Sequence, residues 1–398
     1  TFRPLGAPFD APFAATIDED GVASGKVDQM GQEFPFRMER VSAEEARAVG
    51  PERPQTPRPP FPYDIRDVGY ENTTDGTRLA GTLTTPKDSG PHPAVILITG
   101  SGPQDRDETL LGHKPFAVIA DHLTRRGIAV LRVDDRGVGG SSGDILKATA
   151  EDFAADVIAG LAFLKSQSRI DARRIGLLGH SEGGSVAPLV AARRDDVAFI
   201  VLLAGTGLPG GDILAMQLER ILSASGASRK RIRDQLDVQG RIIDLVRREA
   251  DEIALREPVM ELIRLQTAVG AGGTPPSPAA LDAMLKPQLM QMTSPWFRSF
   301  VRVDPREALR KVRCPVLALN GELDLQVPAA ENLTEIKKAL AAAGNSDVTV
   351  RALAELNHLF QHAATGVPGE YAVIAETIDP GVLDEVANWI RARTILDK

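Results

Sequence analysis

From residue 65 onward, short runs of Val, Ile, Leu and Ala alternate with longer stretches whose apolar residues recur at helical spacing. The runs are "AVILITG" (94–100), "GIAVLRVDD" (127–135), "RIGLLGH" (174–180), "FIVLLAG" (199–205), "PVLALNG" (315–321) and "VTVRAL" (348–353). Near-continuous apolar runs mark strands buried on both faces, and strand–helix alternation implies a parallel sheet with helices on both sides. An α/β fold with a mainly parallel sheet is therefore expected. Ahead of these runs, "IRDVGYENTTDGTRLAGTLTTP" (65–86) alternates apolar and polar positions around Asp75-Gly76, which predicts a hairpin.

The pattern changes in three other places. Residues 1–50 alternate in short segments around glycines, predicting a β-rich N-terminal segment too small to stand alone. Residues 51–64 hold six prolines in fourteen positions, the composition of a stiff, extended linker. Between "FIVLLAG" and "PVLALNG" lie more than a hundred residues. Helical patterns fill this span at 212–225, 242–266 and 278–292, broken by "VGAGGTPPSP" (269–278). A structureless loop of that length is implausible, so 208–304 is expected to be a helical cap inserted over the sheet's C-terminal edge. The catalytic domain would then be 65–207 together with 305–398.

Composition narrows the function. Of 398 residues 43% are hydrophobic, enough for a sizeable core. A net charge of −8 and a pI near 5.4 argue against nucleic acid or an anionic membrane as the main partner. No apolar run approaches the ~20 residues of a membrane-spanning helix. Cys314 is the lone cysteine, which excludes an intrachain disulfide and a cysteine-based zinc site. No G-x-G-x-x-G follows a strand and no His/carboxylate cluster stands at ligand spacing, so neither cofactor nor metal is expected. The first residue is Thr1 rather than methionine, from which removal of an upstream segment is expected.

Candidate chemistry centres on "IGLLGHSEGGSVAPL" (175–189), where a strand runs through Gly179-His180-Ser181-Glu182-Gly183 into a helix. This is the G-x-S-x-G nucleophile elbow: a tight turn projects the serine from the sheet's end, and the helix N-terminus aims N–H groups at a developing oxyanion. Gly139–Gly143 matches the same pattern, but Ser141 lies several residues beyond its strand and reads as a loop serine. A serine needs a base and the base needs an acid, in the chain order Ser, Asp/Glu, His. His358, just past "VTVRAL", is favoured as base over His362, read as a surface or supporting residue in a short helix. Asp324 is favoured as acid over Glu322, a solvated turn residue. The Glu182 backbone N–H is one expected oxyanion donor, and Ser101 or Gly102 supplies the other. His180 is expected to line the elbow near the substrate. Trp296 and Phe297 either form the substrate pocket or serve as packing. "QDRDE" (104–108) reads as a salt-bridged loop holding the strand end that carries the oxyanion donors.

The motifs "GSGPQDRDE", "HKPF", "VLRVDDRGVGGSSG", "GHSEGG", "SPWF", "LALNGELDLQVP" and "LNHLFQ" resemble the α/β-hydrolase superfamily. The resemblance is closest to bacterial serine carboxylesterases of the dienelactone-hydrolase-like and acyl-CoA-thioesterase-like branch, and it covers roughly residues 65–395. It implies cleavage of small-molecule carboxylic esters of short to medium acyl length, with thioesters, amides or peptides as alternatives and, less favoured because the Ser-Asp-His set is complete, a hydrolase-fold protein that only binds ligands. Residues 14–41 resemble the last β-repeat of a small N-terminal domain common in these esterases, so the chain is expected to begin partway through it. Such relatives are often exported, which points to the periplasm or outside of the cell, with the cytoplasm as the alternative. Thr99-Gly100-Ser101-Gly102 departs from the His-Gly of many hydrolases, which leaves open which residue supplies the second oxyanion donor.

Overall fold

The computed structural model describes residues 14–17, 22–29, 32–38, 53–267 and 277–394. The chain divides into two units, one of residues 1–52 and 227–293, the other of residues 53–226 and 294–398. With elements numbered in chain order, the first unit contains strands β1 (Ala14–Ile17), β2 (Ala23–Gln29) and β3 (Gln32–Met38), paired antiparallel as β1-β2-β3. It also contains helices α5 (Arg229–Arg247), α6 (Glu252–Thr267) and α7 (Pro278–Met292). Helices α5 and α6 bury one stripe each, Val238, Ile242 and Val246 on one and Leu255, Val259 and Ile263 on the other. This is the spacing that puts residues on one face of a helix. The N-terminal sequence outside the three strands, and most of the glycine-rich break at 269–278, lie outside the described residues.

The second unit is built on eight strands: β4 (Tyr63–Asn72), β5 (Thr77–Pro86), β6 (His92–Ile98), β7 (Ala129–Val133), β8 (Ile170–His180), β9 (Ile200–Leu203), β10 (Val316–Gly321) and β11 (Val348–Leu353). Their order is β11-β10-β9-β8-β6-β7-β5-β4. The hairpin at Asp75-Gly76 forms the antiparallel edge, and every pair from β7 to β11 is parallel. The helices are α1 (Pro115–Thr124), α2 (Ala150–Lys165), α3 (Gly183–Ala191), α4 (Gly210–Ala224), α8 (Pro295–Arg302), α9 (Pro305–Leu309), α10 (Ala329–Ala342) and α11 (Pro380–Thr394). Thr149 and Asp152 open α2 with a reciprocal capping box, and proline in the first turn opens α1, where its missing N–H costs nothing.

Alternate residues of the central strands feed two cores. Ala94, Ile96 and Ile98 of β6 face one side with Leu161 of α2, Val186 of α3 and Ile336 of α10. Val95 and Leu97 face the other with Phe116 and Leu123 of α1 and Val386 and Trp389 of α11. Each large apolar side chain so buried contributes roughly 1.5–3 kcal/mol. The double-sided burial explains why these strands read as unbroken apolar runs. The sequence runs overshoot at some ends: β9 stops at Leu203 because Ala204 turns to a φ of +49°.

The proline-rich stretch does not hang free where it is described. Arg53 donates through Nη2 to the carbonyls of Leu111 (2.9 Å) and Ala372 (2.7 Å), and through Nη1 to that of Ile374. Gln55 donates to Ile378 O (2.6 Å) and accepts from the N–H groups of Thr377 and Ile378.

Candidate active site

Strand β8 ends at His180 and α3 starts at Gly183, so Ser181 and Glu182 form the whole turn. Ser181 adopts a φ of +53°, a region that costs a non-glycine residue of order 1 kcal/mol or more. The glycines permit the turn. A Cβ on Gly179 would stand 2.1 Å from Gly183 O, and one on Gly183 would stand 2.2 Å from Ile98 O. The rival Ser141 is buried, its hydroxyl giving its proton to Asp134 O (2.8 Å) and accepting from Ala80 N (2.9 Å), so it ties a loop to β5.

Asp324 follows β10 by three residues and His358 follows β11 by five. The Nδ1–H of His358 donates to Asp324 Oδ2 at 2.8 Å. The other carboxylate oxygen accepts two backbone N–H groups, from Gln326 and Val327, each at 2.8 Å. Asp324 is 2% exposed and His358 5%, so solvent does not compete for this pair. Asn357 braces the histidine loop by accepting the N–H groups of Leu359 (2.9 Å) and Gln361 (3.0 Å). Glu322 is exposed. His362 is not in a helix: it is exposed, bridges to Leu356 and pairs through Nδ1 with Glu376 at 2.9 Å. Ligand atoms of His362, Glu376 and Asp379 fall within 4.8 Å of one another at this surface, a cluster that sequence spacing did not reveal.

His180 joins the elbow to the histidine loop. Its ring lies 4.9 Å from that of His358, and its Nε2 donates to His358 O at 3.1 Å. Among the described residues Ser181 Oγ has no hydrogen-bond partner, His358 included. In free enzymes the bond between nucleophile and base is often long and tightens only with substrate bound.

The loop after β6 closes the other side. A Cβ on Gly100 would stand 3.3 Å from Ser181 Cβ, which places this loop against the nucleophile. Gly100 spends its own N–H on Glu108 Oε1 at 2.6 Å, so it is not an oxyanion donor. Ser101 is exposed, and Gly102 has a φ of +89°. "QDRDE" is cross-linked: Arg106 grips both oxygens of Asp134, and Gln104 N donates to Asp135 Oδ2 at 2.9 Å.

Three carboxyls complete this shell: Glu108 belongs to the loop expected to hold the strand end, whereas Asp135 and the side chain of Glu182 escaped sequence reasoning. Glu108, held at a φ of +52°, also accepts from His180 Nδ1 at 2.9 Å. Asp135 accepts from Thr99 Oγ1 (2.6 Å), and burial pushes its carboxyl up to about 7. The side chain of Glu182 turns inward and accepts Trp296 Nε1–H at 3.2 and 3.3 Å, and burial lifts it to about 7 as well. Trp296 and Phe297 are both buried and in ring contact, so they pack around this carboxyl. A cavity beside the elbow is bordered by Thr99, Gly100, Asp135, Phe153, Glu182 and Val186. Cys314 is half-buried, with its thiol pushed up to about 12 by burial, and is no nucleophile.

A mainly parallel sheet, a serine in a strand-to-helix elbow and a histidine–carboxylate pair at the ends of two later strands have the architecture of the α/β-hydrolase fold. Residues 114–262 match the family model described as serine aminopeptidase S33. The chain is 28% identical over 332 residues to esterase EstD of Thermotoga maritima, covering 83% of this chain and 68% of that protein. An uncharacterized protein of Mycobacterium tuberculosis is 35% identical over 136 residues, 34% of this chain and 44% of its own length. Among solved structures, the α/β hydrolase GrgF of Penicillium superposes with a TM-score of 0.52 at 18% identity, covering 84% of this chain and 100% of that one. Pyrococcus furiosus esterase Pf2001 gives 0.51 at 17%, covering 84% and 92%. At such identities the structures speak for the fold alone.

Proposed function

We propose that this hydrolase is a serine carboxylesterase acting on small carboxylic esters through Ser181, His358 and Asp324. The observation that carries the reading is the buried 2.8 Å bond between His358 Nδ1 and Asp324 Oδ2, with the His358 ring 4.9 Å from that of His180, the residue before the elbow serine. In this reading Asp324 keeps the imidazole proton on Nδ1, leaving Nε2 free to take the proton of Ser181 as its oxygen attacks the ester carbonyl. The tetrahedral oxyanion lies at the start of α3, where the Glu182 N–H and the N–H of Ser101 or Gly102 receive it. His358 then protonates the departing alcohol, and water activated by the same nitrogen releases the acid. The alcohol or the short to medium acyl group occupies the cavity beside the elbow bordered by Thr99, Gly100, Phe153 and Val186.

The S33 match supports a second reading, cleavage of an amide or peptide by the same residues. Rates on an ester, a thioester and an amide sharing one acyl group separate the two. Labelling by a fluorophosphonate, abolished in Ser181→Ala, is the direct test of the nucleophile. An unlabelled wild type would end the proposal.

A further inference from the structure

We propose that His180 is held as an imidazolium by Glu108, and that this buried charge is a positioning device that keeps His358 neutral and ready to act as base. The inference rests on the esterase reading for its kinetic part only.

The argument begins with what each atom can do. His358 O is a carbonyl and only accepts, so His180 Nε2, 3.1 Å away, must carry a hydrogen. Glu108 Oε1 already accepts the Gly100 N–H at 2.6 Å, which is the arrangement of an ionised carboxylate. Its second contact, 2.9 Å from His180 Nδ1, therefore places a hydrogen on that nitrogen too. With hydrogens on both nitrogens the ring is charged. Burial works against the charge, but the Glu108 carboxylate, its hydrogen bond, the His358 carbonyl and the more distant Asp324 outweigh it and hold His180 above the ordinary histidine range.

The pair thus ties three catalytic parts together. Glu108 fixes the loop at Gly100, His180 precedes the nucleophile, and its Nε2 holds the backbone of the base. The charge lies beside the His358 ring, 4.9 Å between centroids. A cation at that distance opposes protonation of His358, whereas Asp324 favours it. Around this group the titratable residues are Glu108, Asp324, His358, Asp135, which feels Glu108, and Tyr371, whose ring faces Asp324 and the His358 backbone. Asp135 is pushed up to about 7 by burial, so it adds little negative charge below that pH.

The test joins a spectrum to a rate profile, using the full chain. Histidine 15N spectra of the wild type, with His180 assigned by its loss in His180→Gln, should show both ring nitrogens protonated at pH 8. A neutral His180 at that pH overturns the proposal. In Glu108→Gln, which keeps the shape and removes the charge, His180 should lose its proton at a lower pH than in the wild type. An unchanged His180 there overturns the role given to Glu108. For His180→Gln, the acid limb of kcat/KM on a soluble nitrophenyl ester should move up by about one pH unit, whatever the fall in the alkaline plateau. An equal loss at all pH values, with the limb in place, would show a merely structural residue. If the wild type hydrolyses no ester and takes no fluorophosphonate, the esterase reading fails by itself, and the spectra still decide the charged pair.

Discussion

Glu182 should make this protein less stable as pH rises through neutrality, and Glu182→Gln should remove that loss. The carboxyl is buried against Trp296 with no cation acting on it among the described residues, and burial raises it from an ordinary 4.5 to about 7. The sign follows from linkage. Because the folded protein holds this proton more tightly than the unfolded chain, the contribution to stability is complete below about pH 4.5 and is lost as pH rises through 7. The interval from 4.5 to about 7 corresponds to about 3 kcal/mol in all, most of which falls between pH 5 and pH 8. Glutamine keeps the shape and still accepts the Trp296 N–H, so the variant should match the wild type near pH 5 and exceed it at pH 8 by most of that amount. Asp135 titrates in the same interval but is present in both proteins, so most of its effect cancels in the comparison. Urea unfolding of both proteins at the two pH values measures the difference. A gap that does not change with pH, or a glutamine variant less stable at pH 8, would refute an uncompensated buried carboxyl at this position.

Other outcomes follow from the same geometry. Asp324→Asn would turn an amide toward His358 Nδ1 and force the proton to the wrong nitrogen, so kcat on a nitrophenyl ester should drop about 10⁴-fold with the fold intact by circular dichroism, and a drop under tenfold would contradict the role given to Asp324. Gly183→Ala should destabilise by about 3 kcal/mol or more, because the methyl meets the Ile98 carbonyl at 2.2 Å and neither backbone can move freely, whereas Gly240→Ala, in open space on α5, should stabilise by up to about 1 kcal/mol; thermal melts showing the reverse order would refute the packing at the elbow. Arg136→Met strands the carboxylates of Asp156 and Asp75, now bonded at 2.6–2.8 Å, and should cost about 3 kcal/mol by chemical denaturation, with a loss under 0.5 kcal/mol counting against it.

What could be read from the chain was whatever is encoded locally. The apolar runs announce strands because both sheet faces are covered, and Ser181 is visible because its glycines and the flanking strand and helix all lie within a dozen residues. Asp324 and His358 could be nominated because each sits just past a strand end, where loops converge in a parallel sheet. The surrounding shell was illegible for the complementary reason. Glu108 meets His180 across 72 positions of sequence, and Glu182 meets Trp296 across 114. No periodicity records such encounters, and a glutamate's burial is set by what arrives from elsewhere. The start of β8 was missed too: the apolar run begins only at Arg174, yet the strand begins at Ile170, with Asp171 clasped by Arg174.

The seating of Arg53 and Gln55 bears on how the gene can be shortened. Anyone trimming the protein back to its sheet would be drawn to Tyr63, where β4 begins. That cut would strip donors from the carbonyls at 111, 372, 374 and 378 and an acceptor from the amides at 377 and 378. Those residues adjoin Tyr371 and Thr377, which grip the fully buried His113. A fragment opening at residue 53 keeps these ties, while one opening ten residues later would loosen the bed on which α1 and the histidine loop rest.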